Sequence, residues 1–179
     1  MNSKVTKIIV KYPADQLPNI IIPEQYAPHR FLIGKDGKKP LVAFCMNPSA
    51  ARDNTSDKTV NRVIRTSENL QYDGWFVANI YPERATDAAK LGTFDEKLAK
   101  ENVSVIEKFL LSKNIKEVWG AWGDLKYDPL RKGKVMVLEM LKKHKIKIFH
   151  FAEPTKSGEP KHPSRLKIMK ENKRNYAIS

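Results

Sequence analysis

The chain has 179 residues, 33 Lys and Arg against 20 Asp and Glu, a net charge of +13 and four His. That length supports one domain with a full core and leaves two independent cores cramped. A single cysteine, Cys45, excludes an internal disulfide and any cysteine-held cluster or zinc site, and His29, His144, His150 and His162 lack metal-ligand spacing, so neither metal nor cofactor is expected.

The charge is unevenly placed. Between Arg131 and the last residue stand 14 Lys and Arg and 4 Asp and Glu, an excess of ten out of thirteen. A Lys-rich solvated face is the plain reading of such a stretch, but concentration in one third of the chain favours a nucleic acid or another phosphate-bearing partner. Apolar runs such as LVAFCM and WFVANI fall short of a membrane span, and the amino terminus has no signal-peptide apolar core. The expectation is a soluble cytoplasmic protein with no membrane partner and an oligomeric state the sequence leaves open.

In chain order, VTKIIV reads as a first strand, followed by a Pro-rich connector. RFLIG and LVAFCM flank GKDGKKP, and Asp36-Gly37 supplies the residues of a tight turn, so a β-hairpin is predicted with its second strand at Leu41–Met46. The apolar content of that strand is continuous, as suits a strand covered on both faces. Ser56 and Asp57 are candidate helix caps, and Val60, Val63, Ile64, Ser67 and Leu70 recur at helical spacing. Trp75–Ile80 is a second buried strand. A helix over 95–113 follows, with Leu98, Val103, Ile106, Phe109 and Leu110 as its apolar side. Glu117–Ala121 is a third strand, and a helix over about 133–144 turns Val135, Leu138 and Leu141 inward. Ile146–Phe151 is a fourth strand, and a Lys-rich helix is predicted from about Ser164.

Alternating strands and helices predict a single α/β domain over 1–179: a strand, connector and hairpin in 1–40, then a three-layer α/β/α core over 41–179 around a central, mostly parallel four-stranded sheet. Ligands of open parallel sheets bind outside the carboxyl ends of the strands. Those ends carry Asn47-Pro48-Ser49, Asn79 followed by Tyr81-Pro82-Glu83-Arg84-Ala85-Thr86, Trp122-Gly123-Asp124, and Lys161-His162-Pro163-Ser164.

The series NPS, NIYPERATD, AWG and EPKHPSRL resembles the motifs of domain-of-unknown-function family 1643. More distantly, CMNPSAA, FVANIYP and HPSRL resemble, in order and placement, the motifs of the uracil-DNA glycosylase superfamily. That second resemblance implies a uracil-DNA-glycosylase-like fold and possible hydrolysis of an N-glycosidic bond. Under it His162, neutral, donates to the departing base; Asn79 reads a pyrimidine edge; and Asn47 positions water without acting as a base. Pro48, Ser49, Arg84 and Thr86 complete the expected ligand set. Ser164, Arg165, Leu166 and Lys167 are the expected nucleic-acid contacts, Leu166 at the place of an apolar wedge. Structural roles compete at each position: a turn for Asn-Pro-Ser, a strand end for Asn79, a loop anchor for His162, a surface ion pair of Arg84 with Glu83 or Asp87, an amphipathic helix for Leu166, and capping or solvation for Asp57 and Asp53. Cys45 and Ser49 replace the glycines of the first glycosylase motif, and Arg84-Ala85-Thr86 belongs to the first family's pattern alone. A non-catalytic nucleic-acid or nucleotide-binding module, and an enzyme of small phosphorylated metabolites, are the alternatives.

Overall fold

The computed structural model describes residues 10–167 and 173–178, so the strand predicted within VTKIIV lies almost wholly outside the described residues. Seven strands form one mixed sheet: β1 (Ile20–Ile22), β2 (Leu32–Lys35), β3 (Pro40–Cys45), β4 (Gly74–Asn79), β5 (Glu117–Gly120), β6 (Lys147–Phe151) and β7 (Lys173–Tyr176), in the order β1-β2-β4-β3-β5-β6-β7. The four predicted core strands, β4, β3, β5 and β6, run parallel to one another. Antiparallel partners extend them on both sides, so the expected four-stranded, mostly parallel sheet is corrected to a seven-stranded mixed one.

The predicted hairpin does not form. β2 pairs with β1 and β4, and β4 stands between β2 and β3. Neither Asp36 nor Gly37 takes the positive φ that a two-residue hairpin turn requires. Instead the loop is tied to the start of β4: the Asp73 carboxylate accepts the backbone N–H groups of Lys39 at 2.7 Å and Lys38 at 3.0 Å. Lys113 adds an ion pair to Asp36 at 2.5 Å. Two long-range carboxylate anchors thus decide where a local turn signal would have folded the chain back.

Helix α1 (Lys58–Asn69) covers one face, while α2 (Glu96–Ser112) and α3 (Asp128–Lys143) cover the other. In β3, Leu41, Ala43 and Cys45 face Val60, Val63 and Ile64 of α1, whereas Val42 and Phe44 face Ile106, Phe109 and Leu110 of α2. A strand buried on both sides cannot alternate polar with apolar, which is why this one reads LVAFC. Asp57 is the N-cap of α1, accepting from Val60 N at 2.8 Å, while the Ser56 hydroxyl pairs with Asn61 Oδ1. Helix α3 begins five residues earlier than predicted, with Pro129 in its first turn, and buries Leu130, Gly133, Val137, Met140 and Leu141. Val135, expected inward, is 56% exposed.

The predicted carboxyl-terminal helix is also corrected. Among the described residues, Pro163–Arg165 form a 3-10 turn rather than the start of a helix, and Lys173–Tyr176 form β7, antiparallel to β6. Residues 168–172 lie outside the described part. Among the described residues no helix is long and apolar enough to cross a membrane, and no group of three or more His, Cys, Asp or Glu is placed to hold a metal ion.

Candidate functional site

From β3 the chain moves through α1 to β4 on one side, and from β4 through α2 to β5 on the other, so strand order reverses between β3 and β5. At such a reversal the following loops diverge and leave a crevice at the carboxyl ends of the strands. A cavity of about 880 Å³ opens there, walled by segments 46–59, 85–88, 123–127 and 162–165 together with Val10 and Thr155.

Of the predicted residues, Asn47, Ser49, Thr86, His162, Ser164 and Arg165 line this cavity. Half-buried Asn47 spends its amide N–H groups on backbone carbonyls, donating to Ala85 O at 2.9 Å, Pro48 O at 3.2 Å and Glu83 O at 3.4 Å. It therefore staples the loop after β3 to the loop after β4, leaving Oδ1 to accept from a ligand or water. Pro48 is buried behind it, its carbonyl accepting from Ala85 N at 3.0 Å.

His162 caps the 3-10 turn. Ser164 N donates to its Nδ1 at 3.3 Å, and the Ser164 hydroxyl lies 2.8 Å from the same nitrogen. A backbone N–H can only donate, so Nδ1 accepts and the neutral ring carries its proton on Nε2. Burial lowers the His162 pKa; Asp57 opposes this, and the Arg165 and Arg62 guanidinium groups add to it. Gly123 seats the ring: its φ of +70° suits glycine, and a Cβ there would stand 3.1 Å from His162 Cβ.

Asn79, Arg84, Leu166 and Lys167 do not line the cavity. Fully buried Asn79 donates to Arg30 O at 3.2 Å, accepts at its backbone carbonyl from Asn102 Nδ2 at 3.0 Å, and leaves Oδ1 without a partner among the described residues. Arg84 forms no ion pair with Glu83 or Asp87. It donates to Ala27 O at 3.0 Å, Ser49 O at 2.9 Å and Ala51 O at 3.3 Å, with its guanidinium 4.9 Å from the Tyr26 ring centre. Leu166, expected as a wedge, is 7% exposed and packs in the cluster that holds Val60, Val63 and Ile64. Arg62 fixes it there by donating to Pro163 O at 3.1 Å and Leu166 O at 3.2 Å. Lys167 is exposed.

Several lining residues carried no recognisable motif. The cavity's cations are Arg52, Lys58, Lys126 and Arg165, against the carboxylates Asp57 and Asp124. Both carboxylates are engaged, Asp57 on Val60 N and Asp124 with the Thr155 hydroxyl at 2.5 Å. Among the described residues only Arg165 comes from the basic carboxyl third. Other members of that third are neutralised in ion pairs, Lys134 with Glu159 at 2.5 Å, Arg174 with Glu153 at 2.6 Å and Lys173 with Glu117 at 2.7 Å. Cys45, beneath the site, is buried, and burial pushes its thiol up to about 12, which removes it as a nucleophile.

Burial also lowers the pKa of His150. Both histidines are then held below the ordinary value of about 6.5, so below that pH the unfolded chain takes up protons before the folded one. Their contribution to stability is complete above the ordinary value and is lost as pH falls through the window beneath it. Urea unfolding is expected to show a lower midpoint at pH 5.5 than at pH 7.5, with at most about 1.4 kcal/mol per pH unit for each histidine. Equal midpoints for the native protein, or a drop unchanged in a His150→Gln/His162→Gln double variant, would contradict this.

The family model described as "Protein of unknown function (DUF1643)" matches residues 30–164. No curated protein and no solved structure matches the chain, so the likeness to glycosylases rests on three short motifs.

Proposed function

The chain belongs to the DUF1643 family, and we propose, from the geometry of its site, that it is a cytoplasmic nucleotide-binding protein whose strand-end cavity takes a phosphate-bearing nucleotide, free or within a single strand of nucleic acid. One observation carries the reading. Four cationic side chains, the N-terminus of α1 and a neutral His162 converge on one cavity at the strand-order reversal. The helix end and the cations favour an anionic group. Met46, Ala88 and Tyr127 offer apolar surface for a planar base, and the volume lies within the range of about 300–1,000 Å³ usual for small-molecule sites.

Burial of Leu166 argues against extraction of a base from a duplex by that residue and favours a ligand that arrives unpaired. The test is calorimetric titration with nucleoside monophosphates and short single-stranded oligonucleotides at several salt concentrations. Affinity is expected to fall as salt rises, because phosphate contacts release counterions. Salt-independent binding, or none, rejects the reading.

A second reading, cleavage of an N-glycosidic bond, is favoured by the His162 tautomer. As the bond to the base breaks, its electron pair leaves with the base, and an Nε2–H donor stabilises the charge gathering on a base oxygen. Water supplies the oxygen that joins the sugar carbon, the proton it loses ends on the departing anionic base, and Asn47 Oδ1 can accept one of the water's hydrogen bonds without taking that proton. Base release from single-stranded DNA containing uracil or hypoxanthine is expected to drop on the order of 10²–10³-fold in His162→Ala. Release no faster than in that variant leaves binding as the function.

A further inference from the structure

Four carbonyls of the loop that follows β3, those of Pro48, Ser49, Ala51 and Arg52, are held by neighbouring groups. Pro48 O accepts from Ala85 N at 3.0 Å and from Asn47 Nδ2 at 3.2 Å; Ser49 O accepts from Arg84 Nη1 at 2.9 Å. Ala51 O accepts from Arg84 Nη1 at 3.3 Å and also from Arg30 Nη1, and Arg52 O accepts from the Tyr12 hydroxyl at 2.6 Å. In a trans peptide the N–H points opposite to the C=O of the same unit, and the peptide bonds of this loop are trans. With the carbonyls of Pro48 and Ser49 engaged, the N–H groups of Ser49 and Ala50 point away from those carbonyl partners. Both residues line the cavity, and neither N–H has an acceptor among the described residues.

A second observation comes from the opposite side of the loop. Arg30 is 2% exposed, its Nε has no partner, and neither it nor Arg84 pairs with a carboxylate among the described residues. Burial, and secondarily the charge of Arg84, pull the Arg30 pKa down to about 10. A buried guanidinium beside a half-buried one, with the Asp57 carboxylate acting on both only through space, is costly, and an anion across the loop offsets that cost.

Resting on the nucleotide reading, we infer that the consecutive N–H groups of Ser49 and Ala50 form a nest for a phosphoryl group of the ligand, with Arg52 at its rim. Consecutive backbone N–H groups make an anion-binding concavity with no charged side chain needed at its centre. Arg84 and Arg30 are positioning residues: they never reach the ligand, and they act by holding the carbonyls back and by adding positive potential behind the nest.

The test uses the full chain, inorganic pyrophosphate as the probe of the nest, and a nucleoside with its monophosphate as probes of the whole cavity. Pyrophosphate is expected to bind and to compete with the monophosphate. Ala50→Pro removes one donor and is expected to weaken pyrophosphate at least about tenfold, whereas Ala50→Gly, which keeps the N–H, does not. Arg84→Gln is expected to weaken pyrophosphate and the monophosphate while leaving the nucleoside unchanged, a split that general loosening of the fold would not give. Should Ala50→Pro fail to fold by its melting curve, Arg84→Gln and Arg52→Ala carry the test. Undiminished pyrophosphate binding in the folded variants, or equal loss of nucleoside binding, overturns the nest. Pyrophosphate binding that is sensitive to these changes, in a protein that ignores nucleosides and nucleotides, upholds the nest and rejects the nucleotide reading. Nucleoside binding without any pyrophosphate binding rejects the nest alone.

Discussion

Leu166→Asp is expected to lower the stability of the protein by about 4 kcal/mol, combining the usual loss for a deleted core leucine with the burial of a carboxylate. For a chain of this length that corresponds to a fall in melting temperature of roughly 8–16 °C. The reason is local. Leu166 is packed against the face of α1, and Arg62 on that helix holds the carbonyls of Pro163 and Leu166. A residue that enters a nucleic-acid stack must be free in the unbound protein, and its replacement leaves stability almost unchanged. Differential scanning calorimetry separates the two cases. An unaltered melting temperature with reduced affinity for DNA would restore the wedge and overturn the core assignment.

A second large effect is expected at Gly34. This residue lies in β2 directly opposite Phe76 of β4. A Cβ at Gly34 would stand well inside contact distance of the Trp75 carbonyl oxygen and the Phe76 ring. The side chain of Phe76 cannot retreat, because it is fully buried and packs at 4.5 Å against Phe109 of α2. Gly34→Val therefore forces β2 off β4 and β1 with it, for a loss of about 3 kcal/mol or more despite the better strand propensity of valine. Hydrogen exchange should show the amides of β2 losing protection first. If exchange in β2 is unchanged while β3 becomes exposed, β2 pairs with β3 as a hairpin and the observed sheet order is wrong.

The two substitutions bear on the places where the sequence misled. Helices α1 and α2 and the four parallel strands were legible because each buries a face whose period is written in its own residues: Val60, Val63 and Ile64 on a helix, LVAFC on a strand with two covered faces. The hairpin was misread because Asp36-Gly37 is a local turn signal, whereas the outcome depends on Asp73, which lies 34 residues beyond Lys39. Strand β7 was missed because Lys-Arg-Asn-Tyr has no apolar alternation; an edge strand with three exposed residues needs none.

For the site, the strand-end rule found Asn47, Ser49, Thr86, His162, Ser164 and Arg165 because parallel connectivity alone puts those loops together. It could not rank them by depth. Asn79 and Arg84 occupy the same loops yet face the supporting layer, and burial is a property of the packed fold rather than of a motif. Arg30 was invisible for the opposite reason: one arginine before a strand has no spacing to recognise, and its meaning appears only when its guanidinium is seen enclosed. The excess charge of the carboxyl third is not what lines the cavity, since Arg52, Lys58 and Lys126 all precede it.

The cavity walls come from segments as far apart in the chain as Met46 and Arg165, with α1 starting inside one of them. Such a site is dismantled whenever the fold is, so whatever occupies it must raise the temperature at which the protein melts. A ligand present at a hundred times its dissociation constant adds about 2.7 kcal/mol to the folded state, or roughly 5–10 °C at this size. A thermal-shift panel of nucleotides, nucleosides and phosphorylated sugars would therefore identify the ligand class without any assay of turnover, and the Arg84→Gln variant run beside it would sort phosphate-dependent hits from the rest.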